Sequence, residues 1–312
     1  MISASSPITR RGVIASVGAS TGFALLVWYA AVLAPHFGPW EIFGWRLLLT
    51  FPALTVAMLV TKRGPRIVRF VASLFTAWWR LPVLIINSLL AVAQMVLFTW
   101  APGAGRTTEM SLGYFLMPLV MIVIGRVGFH ESITRGQAFA TVLAALGVLY
   151  EIIRTGGLGW PTLVVAIGYP MYFVSRRLAR MATSAGLWAE MLIAVPIAAW
   201  MVRSPEELAK VTDVKLLAMI LGLGVFSAGI MAIYTGAQML LPFALFGLLS
   251  YLEPVLLVLV AFVLLHETIT VAELPTYILI WLAVLILALE ATWRMKRRKD
   301  RHDLWWPDIH TM

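Results

Sequence analysis

FHESIT at 129–134 and LHETIT at 265–270 are two copies of one pattern, 136 residues apart. Each histidine follows a proline by twelve positions, His130 after Pro118 and His266 after Pro254. A histidine beside a glutamate invites a catalytic reading. A pattern repeated at one offset invites an architectural one, in which a whole unit of chain has been used twice.

Composition bears on which reading holds. Hydrophobic residues make up 61% of the 312 and charged residues only 12%, the profile of a chain that crosses a bilayer many times. A helical span needs about 20 mostly apolar residues to cross about 30 Å of hydrocarbon. We read ten such spans, over 12–33, 40–60, 81–100, 109–125, 134–153, 160–174, 186–201, 216–234, 243–265 and 270–292. The N-terminal Arg10-Arg11 before an apolar run, with AAVLA as a cleavage-like site, resembles a signal peptide. Its length and the spans that follow favour a retained first helix.

The formal charge of +9 is a topology signal, because no basic, aromatic-laced domain exists to hold nucleic acid. With ten spans, 18 of the 24 Lys and Arg residues fall on one face: those at 10–11, 62–80, 126–135, 176–180 and in the tail at 294–301. Five fall on the other (Arg106, Arg154, Arg203, Lys210, Lys215), and Arg46 lies inside a span. Both termini are expected in the cytoplasm of a bacterial cell, with the chain in the inner membrane. The absence of cysteine removes disulfides, thiolate nucleophiles and cysteine-ligated metal.

This topology puts His130-Glu131 in a cytoplasmic loop and His266-Glu267 in an outer one. A unit of five spans inverts its orientation each time it is used. The expected fold is therefore all-α integral membrane, with ten transmembrane helices in two inverted five-helix repeats, 1–155 and 156–293, followed by a basic cytoplasmic tail, 294–312. Thr134-Arg-Gly-Gln137 and Thr270-Val-Ala-Glu273 both read as capping boxes that start a helix. A metalloprotease would need two histidines one helical turn apart, and none of the five histidines has such a partner. The His-Glu pairs read as architecture, and the chain as something other than an enzyme, with no cofactor.

SLGYFLMPL at 111–119, ALGVLY at 145–150 and YILIWLA at 277–283 resemble the EamA-type drug/metabolite transporters, RarD branch. Glu41-Ile-Phe-Gly-Trp-Arg46 in span two, Glu109-Met-Ser-Leu-Gly-Tyr114 in span four, and Tyr172 with Arg176-Arg177 at the end of span six are similar to that branch's signatures. The resemblance implies two inverted EamA repeats, a central cavity and movement of small metabolites or drugs, usually outward. The chain departs from the branch at Gln94-Met95, where Asn-Trp is usual, at Met117, where Asn is usual, and at Glu253, ahead of Pro254.

An ionisable group in hydrocarbon costs on the order of 3 kcal/mol, so each needs a partner or a wet cavity. Arg46 reads either as a guanidinium for a substrate carboxylate or as one half of a structural pair with Glu41 or Glu109. Glu253, beside a helix-breaking proline, reads as the coupling group or as a bridge between helices. Asn87 and Gln94, seven apart, share a face of span three. Tyr114, Tyr172, Tyr234 and Tyr251 could join that lining, and Glu41 and Glu109 are counted with Arg46 among the substrate-binding candidates. Glu190 reads as an interfacial partner of Arg177 or Arg180, and Gly18, Ala19 and Ser20 as a close-packing stripe.

The functional expectation is a secondary transporter, an exporter of small amphipathic metabolites such as amino acids or drugs, working by alternating access. No GxxxxGK[ST] loop exists to power it, leaving a proton, a counter-substrate or the substrate's own gradient. Its partners are the small-molecule substrate and the lipid bilayer. A passive facilitator of the same substrates and a lipid-handling membrane protein are the alternatives.

Overall fold

The computed structural model describes residues 10–264 and 270–305, so His266-Glu267 lies outside the described residues. The described residues form thirteen helices and no strand: α1 Arg10–Leu33, α2 Pro39–Val60, α3 Gly64–Thr76, α4 Arg80–Gly103, α5 Thr107–Val127, α6 Arg135–Thr155, α7 Trp160–Leu178, α8 Ser184–Met201, α9 Pro205–Lys210, α10 Val214–Leu240, α11 Phe243–Leu249, α12 Leu252–Leu264 and α13 Leu274–Trp305. Eight stretches are long and apolar enough to cross a membrane: α1, α2, most of α4, α5, α6, α8, α10, and α11 with α12 taken together. The chain is a multi-pass membrane protein. The expected sixth and tenth spans correspond to α7, which carries Arg176 and Arg177 in its last turn, and to the apolar Leu274–Glu290 of α13.

Local signals start the helices. Thr134 accepts from the Gln137 amide at 3.1 Å while the Gln137 side chain accepts from the Thr134 amide at 3.0 Å, closing the capping box of α6. Thr183, Ser204 and Asp213 cap α8, α9 and α10, and Pro39, Pro161 and Pro205 sit in first turns, where a missing N–H costs nothing. Thr270 departs from expectation. Its amide donates to Glu273 at 3.1 Å, but 271–273 is a turn and α13 begins at Leu274, followed by Pro275.

Two helices fall where loops were expected. Both α3 and α9 are too short to span, and α3 is amphipathic. The ninth span is also interrupted: α11 ends at Leu249, Ser250 and Tyr251 form a turn, and α12 resumes ahead of Pro254. Pro254 has no N–H to return to the Ser250 carbonyl, which instead accepts from the Glu253 amide at 3.1 Å. In the first half, α5 runs unbroken through Pro118.

Between membrane helices both surroundings are apolar, so close approach and polar contacts hold the bundle. Gly22 of α1 lies under Ile230 of α10, Gly224 of α10 under Leu49 of α2, Gly113 of α5 under Val165 of α7, and Gly125 of α5 against the backbone of Ala244 in α11. Of the expected small-residue stripe, Ala19 and Ser20 are buried but Gly18 is not; Gly22, one turn further, makes the close approach.

The packing partners follow a pattern. Helix α1 packs on α10 and α12; α7 packs on α4 and α5. Helix α2 packs on α8 and α10; α8 packs on α2 and α4. The remaining major pairs are α5 with α11 and α6 with α13. Nearly every large contact thus joins a helix before residue 156 to one after it.

Candidate functional site

Eight helices, α1, α2, α4, α5, α7, α8, α10 and α12, surround a central cavity of about 150 Å³. Its walls are mostly apolar and aromatic, among them Phe23, Phe43, Met117, Phe173, Leu187 and Met231, into which Arg46, Glu253 and a set of tyrosines project. Mostly apolar walls with a few convergent polar groups are the ordinary chemistry of a small-molecule site.

Arg46 enters from α2. Its Nε donates to Ser227 Oγ of α10 at 3.0 Å, which orients the guanidinium while leaving its terminal nitrogens without a hydrogen-bond partner among the described residues. Glu253 enters from the start of α12, immediately after the helix break, and shares the cavity with Arg46. No ion pair closes between them within 4.0 Å. A guanidinium and a carboxylate held apart in one cavity present complementary ends to a dipolar guest.

The tyrosines divide into two groups. The Tyr114 and Tyr169 hydroxyls, from α5 and α7, are hydrogen-bonded at 2.9 Å. Tyr172 belongs to a buried network: it donates to Glu190 Oε2 at 2.8 Å, accepts from Arg176 Nη1 at 3.0 Å, and Arg176 Nε lies 3.2 Å from Glu190 Oε1. Glu190 is fully buried, so its partner is Arg176 at the cavity floor rather than Arg177 or Arg180 at an interface. Tyr234 of α10 stacks edge-on with Phe23 and lies against Phe173 and Phe246.

Of the residues singled out from sequence, Arg46, Tyr114, Tyr172, Tyr234 and Glu253 line the cavity. Glu41 and Glu109 do not: Glu41 folds over Gly38 at the start of α2, and Glu109 pairs with Arg106 at 3.2 Å and lies over Gly159. Neither braces Arg46. Asn87 is fully buried with no hydrogen-bond partner for its side-chain amide among the described residues, and Gln94 donates to the Val164 carbonyl at 2.8 Å. The shared face of these two is spent on helix packing, and Ala91, Met95 and Thr99 of the same helix reach the cavity instead. Tyr251 is buried outside it, donating to the Phe115 carbonyl at 2.8 Å. Tyr169 and Phe173 were not anticipated, and Arg176, singled out only within a signature, was not expected in the lining; the spacing Tyr169, Tyr172, Phe173, Arg176 on α7 was the available signal for one continuous polar-aromatic face.

At one end of the bundle, the first His-Glu pair closes a contact between halves. Glu131 accepts from the amides of Phe243 and Ala244, each at 2.8 Å, capping α11, and its Oε1 lies 3.0 Å from Arg177 Nη1. The Arg177 guanidinium also lies over the Phe129 ring, 4.6 Å from its centroid.

The EamA-like transporter family model matches residues 10–152. The chain is 36% identical to the chloramphenicol-sensitive protein RarD of Pseudomonas aeruginosa, over 95% of this chain and 99% of that one. It is 32% identical to an uncharacterized transporter of Pasteurella multocida, over 92% and 99%, and 26% identical to protein RarD of Salmonella typhimurium, over 83% and 88%. A crystal structure at 20% identity superposes with a TM-score of 0.62 over 91% of this chain and 97% of that one, which identifies a shared fold. The chain belongs to the EamA-like transporter family and is RarD-like along nearly its whole length.

Proposed function

We propose that the protein is a secondary carrier of small amphipathic, carboxylate-bearing or dipolar solutes, working by alternating access around the central cavity. The observation that carries this reading is Arg46 and Glu253, contributed by opposite halves of the chain and held unpaired in one aromatic-walled cavity. Arg46 grips the anionic end of the solute, the tyrosines and phenylalanines pack its body, and Glu253 answers its cationic end or carries the coupling proton. The site residues for substrate are Arg46, Tyr114, Tyr172 and Tyr234, to which Tyr169 is added.

The helix pairing supports two inverted repeats of five spans. Exchanging α1 with α7, α2 with α8, α4 with α10, α5 with α11–α12 and α6 with α13 turns the set of major packing pairs into itself. Such a pattern is what a pseudo-two-fold axis relating the two halves produces, and an odd number of spans in each half puts that axis in the membrane plane. On this reading the halves are 1–155 and 156–293, both termini face the cytoplasm, and the Glu131, Arg177 and α11 contact closes the cavity from that side. Rocking one half against the other would break that contact, opening the cytoplasmic side as the opposite end closes.

Counterflow in proteoliposomes tests the reading, with a panel of amino acids, related metabolites and, because the Pseudomonas relative is a chloramphenicol-sensitive protein, chloramphenicol. Specific exchange is expected, reduced at least about 100-fold in Arg46→Ala, since a desolvated charged pair is worth roughly 3 kcal/mol or more. Glu253→Gln should lose pH-driven accumulation and weaken exchange of solutes that carry a cationic end, while keeping exchange of those that carry only a carboxylate. Exchange unaffected by both substitutions would sink the proposed site.

A further inference from the structure

A second cavity, of about 390 Å³, lies away from the central one, under the amphipathic helix α3. Four guanidinium side chains from three parts of the chain line it: Arg66 and Arg69 of α3, Arg80 at the start of α4, and Arg180 between α7 and α8. No carboxylate is among its lining residues, and none of the four arginines is in an ion pair among the described residues. Like charges gathered without a counter-charge repel, and a fold keeps them together when an anion is available to hold them.

The remaining lining is built for oxygen anions. Thr183 and Ser184 bring hydroxyls to it, while the Ser73 hydroxyl donates to the Phe70 carbonyl at 2.6 Å and serves to hold Arg80. Ser184 and Ala185 open α8, whose first amides have no intrahelical acceptor and whose N-terminus carries partial positive charge. Arg80 is already fixed in place, donating to Ser73 Oγ at 2.7 Å and to the Ala179 carbonyl at 3.0 Å. Arg180 stands in the left-handed conformation, φ 55°, that ends α7, with the Met181 amide returning to the Arg176 carbonyl at 2.8 Å.

The surroundings identify where the anion comes from. On α3 the positions fall on three faces: Arg66, Arg69 and Ser73 toward the cavity, Ile67, Phe70 and Leu74 against the bundle, and Val68 and Phe75 outward. Phe75 is 85% exposed and Trp78, just beyond the helix, 79% exposed. Tryptophan beside an arginine-rich amphipathic helix is the arrangement of a segment lying in the headgroup region. We infer that this cavity binds the phosphate headgroup of an anionic membrane phospholipid, whose acyl chains run along Val68, Phe75 and Trp78.

Native mass spectrometry of the full-length protein, delipidated in detergent, tests this with cardiolipin, phosphatidylglycerol and phosphatidylethanolamine as probes. The anionic lipids should bind at least about tenfold tighter than phosphatidylethanolamine, each basic group near the surface contributing to that preference. Arg66→Gln with Arg69→Gln should weaken cardiolipin binding about tenfold, and Arg180→Gln, on a different segment, should weaken it too. Arg66→Lys with Arg69→Lys should retain most of it. Both arginines of α3 are exposed, so the lipid-free unfolding midpoint should stay unchanged. Equal binding of all three lipids, or variants that bind like wild type, would overturn the inference. So would inorganic phosphate or glycerol phosphate displacing cardiolipin at equal concentration, which would make the site one for soluble anions.

Discussion

His130 stands in the left-handed backbone region, φ 52°, three residues past the end of α5. That conformation lets the Glu131 amide return to the Gly125 carbonyl at 2.9 Å, closing the helix, and sends the Glu131 carboxylate to the amides that open α11. The pair thus works through backbone and capping chemistry, His130 as the residue that turns the chain and Glu131 as the cap of a helix more than a hundred residues away. Histidine tolerates this conformation better than most side chains, and a β-branched residue does not. His130→Gly should therefore leave the heat-unfolding midpoint and solute exchange unchanged or slightly raised. His130→Val should cost roughly 1–2 kcal/mol of stability. A His130→Gly protein that is stable yet inactive would instead mean that the imidazole itself takes part in transport.

At the scale of elements, glycines separate helices that touch from helices that face lipid. A methyl group added at Gly125 would meet the Ala244 nitrogen at 2.9 Å and its Cβ at 2.8 Å, and backbone cannot swing aside as a side chain can. Gly125→Ala should destabilise the protein by about 1–3 kcal/mol, through overpacking where α5 crosses α11. Gly18 has nothing within 4 Å of the same added atom, so Gly18→Ala should be neutral or gain up to about 1 kcal/mol of helix propensity. Thermal unfolding of the two variants side by side checks the pairing of α5 with α11. A Gly125→Ala protein as stable as wild type would mean these helices are not in close contact.

For the whole molecule, the pairing of helices across the chain midpoint and the loop charges make one joint prediction about topology. Because the chain has no cysteine, single cysteines at Lys62 or Arg180 and at Arg106 or Arg203 can be labelled in intact cells without background. An impermeant thiol reagent should reach the second pair from outside and the first only after the cells are broken. Labelling of both pairs from one side would dismantle the inverted-repeat reading and, with it, the alternating-access proposal.

The sequence by itself determined the class of fold and the family, because both are written in local or linear terms. Twenty-residue apolar runs, Thr134 with Gln137 at a helix start, and the motifs around Arg46 and Tyr114 can be read without knowing what packs on what. It also marked the polar residues that hydrocarbon would penalise. Only the tertiary structure decided which of those penalties is met by a neighbour and which by the cavity. Glu190 and Arg176 cancel each other in the buried network with Tyr172, Glu109 is met by Arg106, and Gln94 by the Val164 carbonyl. Arg46 and Glu253 are left facing one space. Helical spacing says which residues share a face, but the direction of that face depends on the neighbouring helices. Here those neighbours come mostly from the opposite half of the chain.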